Sequence, residues 1–173
     1  PAARYSKHVF SVNRRTLRPP SRRSLRCPAP PFIAGVMTVE ASEEPLRLLV
    51  VEDNPADVRL LREAFVEAGI TVELTHAEDA DHALHRLRAG ARADAILLDL
   101  NMPRVDGRAF LRALRSDPAL ADEHVIVLTS SHYDRDQRTC RQLGVEDYLV
   151  KPTDFDEIVE TARHIAAVAG RQV

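Results

Sequence analysis

Carboxylates, hydroxyls and a single amine stand at the ends of short apolar runs along this 173-residue chain. Glu52-Asp53 follows Leu46–Val51, Asp99 follows Ala95–Leu98, Thr129-Ser130-Ser131 follows Val125–Leu128, and Lys151 follows Tyr148–Val150. If the runs are strands of one sheet, three carboxylates meet at one rim. Two unit charges about 4 Å apart repel by roughly 4 kcal/mol at an effective dielectric near 20, so such a cluster calls for a cation. Oxygen donors with no His or Cys nearby in sequence favour a hard ion that keeps several waters, which points to Mg²⁺. Lys151 is the only lysine after residue 36, against 15 arginines, and a compact ammonium beside a small anion is not interchangeable with a guanidinium. An acidic pair, an aspartate, a hydroxyl and a lysine can together accept a phosphoryl group. In such a site the metal holds phosphate oxygens, the lysine neutralises charge, the hydroxyl donates, and a carboxylate attacks in line to give an acyl phosphate.

The elements that would deliver these groups are readable from pattern. Ala95–Leu98 and Leu46–Val51 lack polar alternation, as strands buried on both faces do. After the first strand, Asn54 can cap a helix and Pro55 can occupy its first turn; the helix should run to about Ala68, with Val58, Leu61, Ala64 and Phe65 on one face and Gly69 as its stop. Residues 71–75 read as a strand, and a helix with an acidic start at Glu78 and Asp79 reaches about Ala89. Phe110, Leu111 and Leu114 mark a third helix and 125–128 a fourth strand. A fourth helix spans 134–143, a last strand 148–150, and Phe155, Ile158, Val159, Ala162, Ile165 and Ala166 line the last helix. Five strands alternating with five helices imply βαβ crossovers and a parallel sheet covered on both faces. The flavodoxin-like order 2-1-3-4-5 is the economical solution, with its switch point between the strands ending in Glu52-Asp53 and Asp99.

Charge is divided along the chain. Residues 1–36 carry eight basic residues, no acid and six of the eleven prolines, whereas the remainder carries 16 basic against 26 acidic residues. Residues 1–45 read as a disordered basic tail with an acidic lead-in, and 46–170 as the folded domain. For the tail a transit peptide, a nucleic-acid-binding arm and an upstream extension that is not native before Met37 all stay open. The acidic balance of the domain argues against sequence-independent nucleic-acid binding. No apolar run approaches the 18 or more residues that span a bilayer. Cys27 and Cys140 suggest neither a disulfide framework nor a zinc site, which suits a reducing, cytoplasmic compartment.

Four segments together resemble the receiver domain of two-component response regulators: Val-Glu52-Asp53-Asn, Asp99-Leu-Asn-Met-Pro-Arg-Val-Asp-Gly107, Leu-Thr129-Ser-Ser and Tyr148-Leu-Val-Lys151-Pro152. Their separations match as well. The resemblance implies that Asp99 is the phosphoacceptor and that Asp53, Glu52 through water, Asp99 and the Asn101 backbone carbonyl hold Mg²⁺. It implies that Thr129 and Lys151 bind the phosphoryl group, that Tyr148 turns inward as a switch, and that the bond to Pro152 is cis. The acidic run through Phe65 and the Val150–Glu157 stretch are similar to single-domain regulators that partner phytochrome-type histidine kinases in prokaryotes, which often pair through the face of the fourth helix, fifth strand and fifth helix. On this reading the chain is a signalling phosphoprotein rather than an enzyme, at most phosphorylating itself from small donors and slowly losing the phosphate, with no DNA-binding domain following.

Plainer readings stand beside these. Tyr148 also reads as a half-buried edge aromatic, Thr129 as a helix cap, Asp106-Gly107 as a turn, Cys140 as a buried apolar position and the seven histidines as incidental. Two rival functions remain: a phosphorylation-independent interaction module with the same fold, and a phosphatase using Asp99 as nucleophile. The second lacks an acid two residues on, where Asn101 stands.

Overall fold

The computed structural model describes residues 44–102 and 106–170. The tail assigned to residues 1–45 lies outside them except for its last two residues. Five strands, β1 (Leu46–Val51), β2 (Val72–Ala77), β3 (Ala95–Leu98), β4 (Val125–Thr129) and β5 (Asp147–Val150), alternate with five helices, α1 (Pro55–Glu67), α2 (Ala80–Arg88), α3 (Gly107–Ser116), α4 (Asp134–Gln142) and α5 (Phe155–Ala169). All strand pairs are parallel and the order is β2-β1-β3-β4-β5, as the alternation of the sequence implies.

The pleat divides the core in two. Leu48, Val50, Ala95 and Leu97 face α1 and α5, where they meet Val58, Leu61, Ala64, Phe65, Val159, Ala162 and Ile165. Leu49, Val51, Ile96 and Leu98 face the other way, against Ala83, Leu84, Leu87, Phe110, Leu111 and Leu114 of α2 and α3. Adjacent residues therefore fill opposite layers, which is why these strands read as unbroken apolar runs. Each buried Leu, Ile or Phe contributes roughly 1.5–3 kcal/mol of transfer free energy. On α4 only Cys140 is buried, so that helix is held mainly by polar contacts.

Caps fall where the side chains permit them. Asn54 Oδ1 accepts from the Ala56 amide, Asp79 from His82, Asp106 from Arg108 and Asp154 from Asp156. Phe155 departs from the helical-face reading: as the first residue of α5 it is exposed and joins neither core layer. The Lys151–Pro152 bond also departs from expectation. It is trans, and no cis peptide bond occurs among the described residues; X-Pro bonds favour trans by about 0.5–1 kcal/mol, and the trans chain already brings Lys151 to its partners.

Candidate functional site

Register brings the site together. Val51 pairs with Leu98, so Glu52 and Asp99 each lie one residue past that pair, on adjacent strands at the carboxyl end of the sheet. Thr129 pairs with Val150, which places Lys151 one residue further along the same rim. Backbone bonds carry the ladder to its end: Asp99 N donates to Val51 O at 3.0 Å, Glu52 N to Ala77 O at 3.1 Å and Lys151 N to Thr129 O at 2.8 Å.

The Lys151 ammonium donates to Glu52 Oε2 at 2.5 Å, to Asp57 Oδ2 at 2.7 Å and to Asp99 Oδ2 at 2.7 Å. Glu52 and Asp99 are 4 % and 5 % exposed, among the few buried polar residues of the described part of the chain. Asp53 is exposed, yet one oxygen from each of Glu52, Asp53 and Asp99 lies within 4.8 Å of the others. Three carboxylates therefore hold one ammonium and a fourth, Asp53, stands beside two of them, leaving negative charge in excess. Burial pushes the Glu52 carboxyl up from its ordinary value, with the Lys151 hydrogen bond acting against that rise. Burial alone would lower the Lys151 ammonium, but the hydrogen bonds to Asp57, Asp99 and Glu52 outweigh it and hold the amine charged. Three convergent oxygens with surplus negative charge fit a hard divalent cation.

The neighbouring loops complete the rim. Asn101 N donates to Asp99 Oδ1 at 2.9 Å, while the Asn101 amide side chain donates to Ser130 Oγ at 2.9 Å. Thr129 is fully buried, and its hydroxyl oxygen accepts from the Ser131 amide at 3.4 Å. The Tyr148 hydroxyl donates to the Ser131 carbonyl at 3.0 Å, and the ring packs partly buried against the α2–α3 layer of the core. Ser131 Oγ in turn donates to Asp136 Oδ2 at 2.6 Å, and Arg108 Nη1 donates to Asp136 Oδ1 at 2.5 Å. A polar chain thus links the β4–α4 turn, α4 and the start of α3.

Every residue singled out by sequence is found at or beside this rim, but three contributors were not foreseen. Asp57 sits in the first turn of α1, where an acid reads as a favourable partner for the helix dipole. His76 was grouped with incidental histidines, yet its Nε2 lies 2.7 Å from the Glu52 carbonyl oxygen. Gly107, read as a turn residue, packs against the backbone under Asp99: a Cβ there would fall 2.5 Å from Asp99 O and 2.8 Å from Leu100 Cα. Only the spacing from Asp99 hinted at that contact.

Residues 48–163 match the model of the response regulator receiver domain. The chain belongs to that family. It is thus a receiver domain of the kind found in two-component systems. The probable methanogenesis regulatory protein FilR2 of Methanothrix harundinacea is 36% identical over 129 residues, covering 72% of this chain and 83% of that protein. Response regulator Rcp1 of Synechocystis sp. is 33% identical over 132 residues, 73% of this chain and 90% of that protein. Among solved structures, the phosphorylated cyanobacterial phytochrome response regulator RcpA superposes with a TM-score of 0.67 at 31% identity, over 75% of this chain and 96% of that one. The Mn²⁺-bound form of Rcp1 gives 0.66 at 32%, over 75% and 97%. No helix among the described residues is long and apolar enough to cross a membrane.

Proposed function

We propose that this receiver domain takes a phosphoryl group on Asp99 from the phosphohistidine of a histidine kinase, or from a small acyl phosphate, with Mg²⁺ at the acidic rim. The observation that carries the reading is the convergence of Glu52, Asp57 and Asp99 on the Lys151 ammonium at 2.5–2.7 Å, with Asp53 alongside. Asp99 would attack phosphorus through a carboxylate oxygen. With phosphohistidine the phosphorus–nitrogen bond breaks and its electron pair stays on the imidazole, with a small acyl phosphate the phosphorus–oxygen bond breaks and a carboxylate leaves, and either way an aspartyl phosphate remains. Bound Mg²⁺ would supply charge neutralisation of the phosphoryl oxygens. Asp53 and Asp99 would hold it directly, Glu52 through water, and Asn101 through its backbone carbonyl. Lys151 would carry the charge of one phosphoryl oxygen and the Thr129 hydroxyl would donate to another.

The likeness to RcpA, described as a cyanobacterial phytochrome response regulator, supports a phytochrome-type histidine kinase as the partner, in a cytoplasmic prokaryotic pathway. Readout through the face of α4, β5 and α5, including pairing of two copies, is supported by Tyr133, Val150 and Phe155, which are exposed at the carboxyl end of that face. Population shift of the Ser131–Tyr148 contact would couple charge at Asp99 to this face.

Labelled acetyl phosphate with Mg²⁺ tests the reading. Wild type should take up an acid- and base-labile phosphate and Asp99→Asn should take up none. Equal labelling of the two proteins overturns the assignment, and no labelling of either from acetyl phosphate or a phosphorylated kinase favours a module that works without phosphate.

A further inference from the structure

Asp57 is held from two sides. At the start of α1, Asn54 Nδ2 donates to Asp57 Oδ1 at 2.7 Å, Asn54 Oδ1 accepts from the Ala56 amide at 3.0 Å, and the Asn54 amide donates to Glu52 Oε1 at 3.1 Å. This cap fixes the Asp57 carboxylate and leaves Oδ2 aimed at Lys151, 94 residues away in sequence and 2.7 Å away in space. An ammonium has three hydrogens, and those of Lys151 go to Glu52, Asp57 and Asp99. Two of these partners, Glu52 and Asp99, also belong to the trio of oxygens that converge within 4.8 Å, whereas Asp57 does not.

We infer that Asp57 is a positioning residue for Lys151, an anchor outside the cation-binding oxygens. The inference rests on the reading of Asp99 as phosphoacceptor. Without Asp57, the ammonium would have only partners that a divalent cation also seeks, so lysine and cation would compete for Glu52 and Asp99. With Asp57, the lysine keeps one charge-assisted bond that no cation displaces, and its nitrogen stays within reach of the oxygen on Asp99 that would carry phosphate. The anchor and the cap are one device: the helix start that points Asp57 at Lys151 also orients Glu52 through its second oxygen.

A double-mutant cycle on the full chain tests this, with wild type, Asp57→Asn, Lys151→Ala and the pair. Two readouts are taken: the rate of labelling from acetyl phosphate, and Mn²⁺ affinity from the paramagnetic resonance of the free ion. Asparagine at 57 keeps the oxygen that Asn54 bonds and removes the charge that holds the lysine. Asp57→Asn should slow labelling about tenfold and weaken Mn²⁺ about threefold, while in the Lys151→Ala background it should change either by less than about twofold. Equal behaviour of Asp57→Asn and wild type overturns the inference, as does a loss of the same size without Lys151. If Lys151→Ala takes up too little label to time, the Mn²⁺ comparison decides. If wild type takes up none, the phosphoacceptor reading fails on its own, and the Mn²⁺ cycle still decides whether Asp57 acts through Lys151.

Discussion

The two ends of the sheet treat charge in opposite ways. At the amino end the cations are matched where they stand: Arg47 pairs with Asp94 at 2.6 Å, and the Arg115 guanidinium donates to the carbonyls of Ala121 and Glu123 and to Leu143 at the end of α4, each at 2.9 Å. Asp147 lies between His124 and His164, at 4.0 and 3.6 Å. At the carboxyl end, Glu52, Asp57 and Asp99 crowd one lysine with Asp53 beside them, and two of the four are almost fully buried. The same fold pairs its charges at one end, although the buried His124 Nδ1 there has no partner, so the surplus of carboxylates at the other is not forced by the architecture. On the proposed reading it marks where a cation and a phosphoryl group would bind.

Substitutions at the two ends should differ in size and in sign. Lys151→Met has the largest expected effect, because it leaves buried carboxylates without their cation. It should lower unfolding stability by about 3 kcal/mol in urea without divalent ions, and Mg²⁺ should recover part of the loss. Gly107→Ala comes next, at about 2–3 kcal/mol, since its Cβ can be housed only by moving backbone at Asp99 and Leu100. Both denaturation and labelling should report it, which would show that the glycine supports the site and not merely the turn. Arg115→Ala should cost about 2 kcal/mol by freeing several carbonyls, yet leave the labelling rate of the folded protein unchanged. The smallest effect carries the contrast most sharply. Asp99→Asn should raise stability by about 1 kcal/mol by relieving repulsion at the rim, whereas Asp94→Asn, which removes a partner of Arg47, should lower it. Losses of the same sign at both positions would mean that the rim is no more strained than the opposite end.

Much of this was legible in the chain because parallel strands announce themselves as apolar runs, and the residues just past their ends fall on one rim by topology alone. Glu52, Asp99 and Lys151 needed no more than that. Asp57 was hidden because its role depends on a side chain 94 residues away, and in the first turn of a helix an acid already has a sufficient local reason. His76 was hidden because its partner is a backbone carbonyl, which leaves no mark in composition. Gly107 looked like a turn because close backbone approach and turn formation select the same residue. Phe155 was misplaced for a converse reason: periodicity places a residue on a helical face but does not say where the neighbouring layer ends. The resemblance misled at Pro152, where the chain reaches the site through a trans bond.

On the proposed function, one carboxylate, that of Asp99, takes the phosphoryl group. Borohydride reduction of the protein after acetyl phosphate and Mg²⁺ converts an aspartyl phosphate into homoserine, and peptide mass spectrometry locates it. Homoserine is expected at position 99 and at no other acid; homoserine at Asp53 or Asp57 with Asp99 intact would mean that another carboxylate takes the phosphoryl group.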